Sequence, residues 1–235
     1  MITLPKQGAV QLWHGTFCRT EQQHDFYYAL LDEQERQAVE RMRRPEVLSR
    51  YLETRARLRL KLSEYLGHDP AKIQIARTEH GKPYLPDHPE LSFNLSHSGE
   101  NLLLAVTSRA QIGVDVETIR PRKGLDGLAR KCFADTELNY WRSLPEERQT
   151  IAFYRLWTAK EAFVKATGRG IALGLDQVVF AAAAELALVR IPVQYGETEQ
   201  WQVSAIELGE GLCAAVCLEG AGMPTISLHS WNTLL

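Results

Sequence analysis

Apolar residues recur along residues 47–66 at close to helical spacing, with Leu48, Tyr51, Leu52, Leu58, Leu62, Tyr65 and Leu66 near i, i+3, i+4, i+7. The period predicts a helix with one apolar stripe, and Gly67 fits its C-terminal stop. Short apolar runs punctuated by Gly, Pro, Asn and Ser follow at 73–76, 91–95, 102–106 and 112–116 and predict strands. A polar connection carrying Pro121, Gly124 and Gly127 comes next, then a short helix over 133–144 with an acidic start. A second long helix is predicted over 151–167. It is apolar nearly all round and ends at Gly168, which places it at a central interface rather than on the surface. Strands are predicted again at 178–181, 186–189, 201–206 and 212–218, so the order of a helix and then short strands occurs twice. This implies an α+β protein of two halves, divided within 109–117.

Composition narrows the class without changing that picture. With 235 residues, 45% hydrophobic and 24% charged, the chain has the makeup of an ordinary folded protein. A net charge of −2 makes a nucleic-acid coat a poor fit. The longest apolar runs fall far short of the ~20 residues that span a bilayer, and the N-terminus lacks the basic and apolar regions of a secretory leader. A cytoplasmic location with no membrane partner is therefore expected. Cys18, Cys132, Cys213 and Cys217 are too sparse for a disulfide scaffold and lack C-x-x-C spacing. Cys213 and Cys217 would share one face of a strand, which suits packing.

Four constellations carry candidate chemistry. Between Arg41 and Lys61 there are eight basic residues and two acidic ones, so the rest of the chain is strongly acidic. Such a patch suits a phosphate ligand or an acidic partner, although a charge run by itself reads equally as a solvated helix face. Arg55 and Arg59 lie on or beside the apolar stripe and need an anion or a route to solvent. Residues 93–99, Phe-Asn-Leu-Ser-His-Ser-Gly, run from a half-buried strand into a polar turn, where Ser96 and His97 are candidate phosphate donors. They do not form a nucleophile-base pair, because neighbours on an extended chain face opposite sides. Asp115 and Glu117, two apart in Gly-Val-Asp-Val-Glu, share a strand face, and paired carboxylates call for a cation such as Mg²⁺. On that motif alone, a strand end with solvated acids explains them as well. Trp157, Glu161 and Lys165 fall at i, i+4, i+8 on the apolar second helix, where charges are costly unless they meet a metal, a phosphate or each other.

Taken in order, residues 93–99, 112–117 (Ile-Gly-Val-Asp-Val-Glu) and 157–165 (Trp-Thr-Ala-Lys-Glu-Ala-Phe-Val-Lys), with Gly81-Lys82-Pro83 upstream, resemble the motifs of the Sfp-type 4′-phosphopantetheinyl transferases. The likeness spans about residues 43–170, and the length resembles this two-halved type rather than the short trimeric carrier-protein synthases. The resemblance implies a monomeric pseudo-dimer of two similar halves, 1–113 and 114–235, each a small, mostly antiparallel sheet packed on a long helix. Coenzyme A and Mg²⁺ would occupy the cleft between them. By the same resemblance, Asp115, Glu117 and Glu161 would hold Mg²⁺ and Lys165 would stabilise the diphosphate. Arg50, Lys82, Ser96 and His97 would grip the 3′-phosphate side, with Arg43 or Arg44 as helpers and Lys160 near carrier or cofactor. The implied activity moves phosphopantetheine from coenzyme A to a serine of an apo acyl, peptidyl or aryl carrier protein, releasing 3′,5′-ADP. Glu161 directly, or Glu117 through water, would take the serine proton. A hydrolase of coenzyme A or nucleotides and a non-catalytic binding module are the rival readings.

Overall fold

The computed structural model describes residues 2–18, 23–181, 183 and 186–231. In chain order its elements are β1 (Ala9–Thr16), α1 (His24–Ala29), α2 (Glu33–Arg41), α3 (Pro45–Leu66), β2 (Ala76–Arg77), β3 (Pro83–Tyr84), β4 (Leu91–Ser98), β5 (Asn101–Ser108) and β6 (Ile112–Thr118). Then come α4 (Leu125–Cys132), α5 (Asp135–Ser143), α6 (Glu146–Thr167), β7 (Val179–Phe180), β8 (Leu188–Arg190), β9 (Trp201–Ile206), β10 (Leu212–Glu219) and β11 (Thr225–Ser230). The two central sheets have the orders β11-β1-β5-β4 and β6-β10-β9, and β2-β3 and β7-β8 form two small two-stranded sheets. All their pairs are antiparallel except β1 with β11.

Residue parity explains the layering. On β5, Leu102, Leu104 and Val106 join Leu58, Leu62 and Tyr65 of α3 in one cluster. Leu103 and Ala105 face the other way and meet Val114 and Val116 of β6 and Ala214 and Val216 of β10. On β10, Ala215 and Cys217 face α6 and pack with Phe163 and Ala166. The order is therefore helix, sheet, sheet, helix, with α3 and α6 flanking the two face-to-face sheets and α4 and α5 packed in turn against α6. Because β5 is buried on both sides, it reads as an apolar run instead of an alternation. Cys213 also packs on the α6 side, and all four cysteines are free thiols.

Several expected elements shift. The helix predicted at 47–66 begins at Pro45, suited to a first turn, and ends at Gly67 with φ +68°. No strand forms at 73–76 as a unit. Ile73 is buried and accepts a hydrogen bond from Arg59, and pairing starts at Ala76. The connection read as polar after Pro121 holds a helix, α4, which buries Ala129 and Cys132 against α6. The polar turn expected after residue 95 comes later, because β4 continues through Ser98 and the chain reverses at Gly99, with φ +58°. The last strand, β11, lies in the sheet of the first half beside β1. Trp231 docks after it, buried beneath the guanidinium of Arg57, which donates to the Trp231 carbonyl. Leu234, the other apolar residue of the tail, lies outside the described residues.

The basic run of α3 is largely internal. Arg55 and Arg59 share Glu35 on α2, and Arg59 also pairs with Asp32. Arg57 pairs with Glu53, and Lys61 pairs with Glu64 while lying 3.8 Å from the Trp13 ring centroid. The anion that Arg55 and Arg59 require is thus the protein's own α2, set in place by an Asp32–Glu35 capping box. Buried pairs of this kind are costly to break, about 3–5 kcal/mol when one partner is lost.

Candidate active site

Helix α6 meets β6 closely where Gly113 faces Ala162 and Ala166. An ideal Cβ built on Gly113 would lie 2.0 Å from the Ala162 carbonyl oxygen and 2.3 Å from the Ala166 nitrogen. Gly113, Asp115 and Glu117 share one face of β6, while Glu161 and Lys165 each precede one of those alanines on α6. The close approach that Gly113, Ala162 and Ala166 permit is what brings the strand's two acids to the helix's acid and lysine. Lys165 does not pair with Glu161 along the helix. Its Nζ crosses to Asp115 Oδ1 at 2.6 Å and also donates to Ser96 Oγ at 2.9 Å and the Val114 carbonyl at 3.3 Å.

The two sheets meet at a seam between β4 and β6 that has no backbone ladder. Asn94, Ser96 and Ser98, on one face of β4, stand in for a partner strand. The backbone nitrogens of Val114, Val116 and Thr118 donate to Asn94 Oδ1 at 2.9 Å, Ser96 Oγ at 3.4 Å and Ser98 Oγ at 3.1 Å. The two serine hydroxyls in turn donate to Asp115 Oδ1 at 2.8 Å and Glu117 Oε2 at 2.6 Å.

Burial pushes the Glu161 carboxyl above the usual glutamate range, and the charges of Asp115 and Glu117 add to that while Lys165 opposes it. Burial also raises Glu117, against the Ser98 hydrogen bond, with repulsion from Asp115 adding to the rise. These couplings tie the three acids into one electrostatic site. As the side chains stand, the described residues hold no group of three or more His, Cys, Asp and Glu arranged to enclose a metal ion. Even so, Asp115 Oδ2 is buried with no hydrogen-bond partner, and Glu161 is buried with no protein donor among the described residues. Unsatisfied carboxylate oxygens in such a cluster fit Mg²⁺, which takes one or a few carboxylates and completes its shell with water and substrate phosphate.

The remaining expected site residues divide. Arg50 and His97 come together around Phe17. The Arg50 guanidinium lies 5.8 Å from the Phe17 ring centroid, and the His97 ring meets Phe17 edge-on at 6.2 Å. Arg50 has no ion pair among the described residues, and with Phe17, Arg43 and Ser49 it lines a cavity of about 540 Å³. Desolvation, then the cations Arg50 and Lys165, push His97 below the usual histidine range. Arg44 sits at the start of α3 without a side-chain capping bond.

Three expected ligand contacts find other partners. Ser96 is buried, and its hydroxyl bonds Asp115, Lys165 and the Val116 nitrogen. Lys82 donates to the carbonyls of Ala166 and Ile112 and to Gln111 Oε1, which uses all three N–H groups. It ties the end of α6 to β6, and burial lowers its pKa to about 8. Lys160 is fully buried, 2.7 Å from Glu137, and donates to the Leu175 and Val178 carbonyls, so it forms an ion pair in the core. Trp157 stacks on Phe153 with centroids 5.8 Å apart, as a packing residue does. Phe17 and Ser98 join the site although no motif reading singled them out. The signal for Ser98 was its parity with Asn94 and Ser96, and Phe17 is brought in only by the fold.

Three acids and one lysine thus come together between strand β6 and helix α6, in a chain whose sequence matches a known class. The 4′-phosphopantetheinyl transferase superfamily model matches residues 111–217, and a 4′-phosphopantetheinyl transferase N-terminal model matches residues 15–109. The chain is 36% identical to the 4′-phosphopantetheinyl transferase HetI of a Nostoc species, covering 91% of this chain and 89% of that one. It is 31% identical to the 4′-phosphopantetheinyl transferase Sfp of Bacillus subtilis over 67% of this chain and 69% of that one. A third relative, the transferase ffp of Bacillus subtilis, is 30% identical over 92% of this chain and 95% of its own length. The chain belongs to the 4′-phosphopantetheinyl transferase family.

Proposed function

We propose that this enzyme transfers the 4′-phosphopantetheine group of coenzyme A to a serine of an apo acyl, peptidyl or aryl carrier protein, releasing 3′,5′-ADP. The observation that carries the reading is the buried, unpartnered Asp115 Oδ2 beside Lys165, faced by Glu117 and Glu161. Asp115, Glu117 and Glu161 would hold Mg²⁺, which when bound offsets the charge of the diphosphate and polarises the attacked phosphoryl group. Lys165 adds a second cation beside the diphosphate and favours departure of the 3′,5′-ADP oxyanion. Glu161, with no protein donor and a raised pKa, accepts the proton of the attacking serine as the new serine–phosphorus bond forms and the bond to the leaving oxygen breaks. Glu117 has one oxygen engaged by Ser98, which favours Glu161 as the base. Arg50, which lines the cavity, and His97, which meets the same Phe17 ring, would hold the 3′-phosphate, with Arg43 as helper. Because the two halves are one chain, a monomer supplies both walls of the cleft. Among the described residues no helix is long and apolar enough to cross a membrane, and action in the cytoplasm fits the free thiols.

Intact-mass spectrometry of an apo carrier protein incubated with the enzyme, coenzyme A and Mg²⁺ tests this. One added phosphopantetheine, absent when Mg²⁺ is chelated, is the expected result. Asp115→Ala is expected to cut the rate by about 10²–10³-fold or more while the fold persists. Consumption of coenzyme A with no carrier present would replace transfer by hydrolysis, and near-normal transfer by a folded Asp115→Ala at saturating Mg²⁺ would remove the metal assignment.

A further inference from the structure

We propose that Ser98 is a positioning residue that fixes Glu117 for the divalent ion, a role that rests on the metal reading above. Its hydroxyl has one proton and a defined direction. The Thr118 backbone nitrogen donates to Ser98 Oγ at 3.1 Å, so the hydroxyl's own proton goes to Glu117 Oε2, 2.6 Å away. The Thr118 hydroxyl donates back to the Ser98 carbonyl at 3.2 Å, which holds the strand end that carries the serine. The next residue is Gly99, at φ +58°, where an ideal Cβ would lie 2.8 Å from Thr118 Oγ1. The turn thus packs closely on Thr118, the β6 residue next to Glu117.

The arrangement repeats two residues earlier, where Ser96 accepts from Val116 N and donates to Asp115 Oδ1. In each copy a serine of β4 bonds the acid of one β6 residue and the backbone of the next. Asp115 has Lys165 as a second support. Glu117 has none, since Ser98 is its sole hydrogen-bond donor among the described residues. Its other oxygen, Oε1, accepts no hydrogen bond among the described residues, and the charge of Asp115 acts on the carboxyl. Removing the serine frees the carboxylate to rotate without touching any group that contacts coenzyme A.

The test compares wild type, Ser98→Ala and Ser98→Thr, with Mn²⁺ binding to the coenzyme A complex read by electron paramagnetic resonance and thermal unfolding as the check on folding. Loss of a hydrogen bond to a metal ligand costs typically ~10–100-fold in metal affinity. Ser98→Ala is expected to weaken Mn²⁺ binding by that factor and to raise the Mg²⁺ concentration for half-maximal transfer in parallel, with kcat at saturating Mg²⁺ within about threefold of wild type. Ser98→Thr, which keeps the hydroxyl, is expected to restore both. Wild-type Mn²⁺ affinity in a folded Ser98→Ala protein overturns the positioning role alone, as does equal weakening in Ser98→Thr, which would mark a packing role. No Mn²⁺ binding by wild type overturns the metal reading and this proposal with it.

Discussion

At the scale of single residues, the site is built from groups that are unstable where they stand. Glu161 is buried and its carboxyl is pushed up first by desolvation and then by Asp115 and Glu117. A glutamate whose folded pKa exceeds its unfolded value binds more protons folded than unfolded between those two values, so stability falls as pH rises through that window. The metal-free protein is therefore expected to gain stability on acidification from neutral pH toward the ordinary glutamate range, and Glu161→Gln is expected to remove part of that dependence. Thermal unfolding in chelator should show Glu161→Gln melting above wild type at pH 7 while transfer is lost. A lower melting temperature for Glu161→Gln would mean that the carboxylate is stabilising and the strained-site account is wrong. The motif residues were legible in the sequence because each acid needs a cation wherever it is buried. The partners that Ser96, Lys82 and Lys160 find within the chain were not, because a hydroxyl or ammonium that satisfies a neighbour looks the same along the sequence as one that does not. Distances such as 2.6 Å from Lys82 to the Ala166 carbonyl reveal them.

At the scale of elements, the two long helices and the strands of both central sheets could be read from period and parity, since their apolar faces are wide and their ends carry glycines. The helices α1, α2 and α4 are short and mean little in isolation. They hold their place through α3 and α6, by contacts such as the Glu35 pairs and the burial of Cys132. The basic run of α3 misled for the same reason, because its partners sit on α2, about twenty residues away. The contact of β6 with α6 is the element pair on which the site depends, and it tolerates no side chain at Gly113. Gly113→Ala is expected to cost about 3 kcal/mol by pushing α6 outward and to lower transfer more than Mg²⁺ or coenzyme A can rescue. Urea unfolding and transfer at saturating ligands check this, and a variant with wild-type values in both would show that the close approach is not what aligns Glu161 and Lys165.

At the scale of the whole molecule, the two central sheets pack face to face, meet again at the β4–β6 seam, and are tied by β11, which follows β10 in the chain but pairs with β1 in the other sheet. The helix-then-strands repetition predicted two halves, but the return of the last strand was hidden, because six residues pairing in parallel across more than two hundred positions leave no local trace. Trp231 closes this return beneath Arg57, and Trp231→Ala is expected to lower stability by roughly 3–5 kcal/mol in one shared transition. Coincident urea curves from fluorescence and circular dichroism, shifted together, are the expected result, and separate transitions for the two halves would contradict the joined architecture. The central claim is that Asp115, Glu117 and Glu161 hold a divalent ion against coenzyme A. The anomalous-difference map of crystals grown with Mn²⁺ and coenzyme A tests it most directly. The account predicts one peak, about 2.0–2.3 Å from oxygens of those carboxylates and from diphosphate oxygens, with Lys165 alongside. A peak elsewhere, or coenzyme A bound in the cleft with no metal peak at these acids, would contradict it.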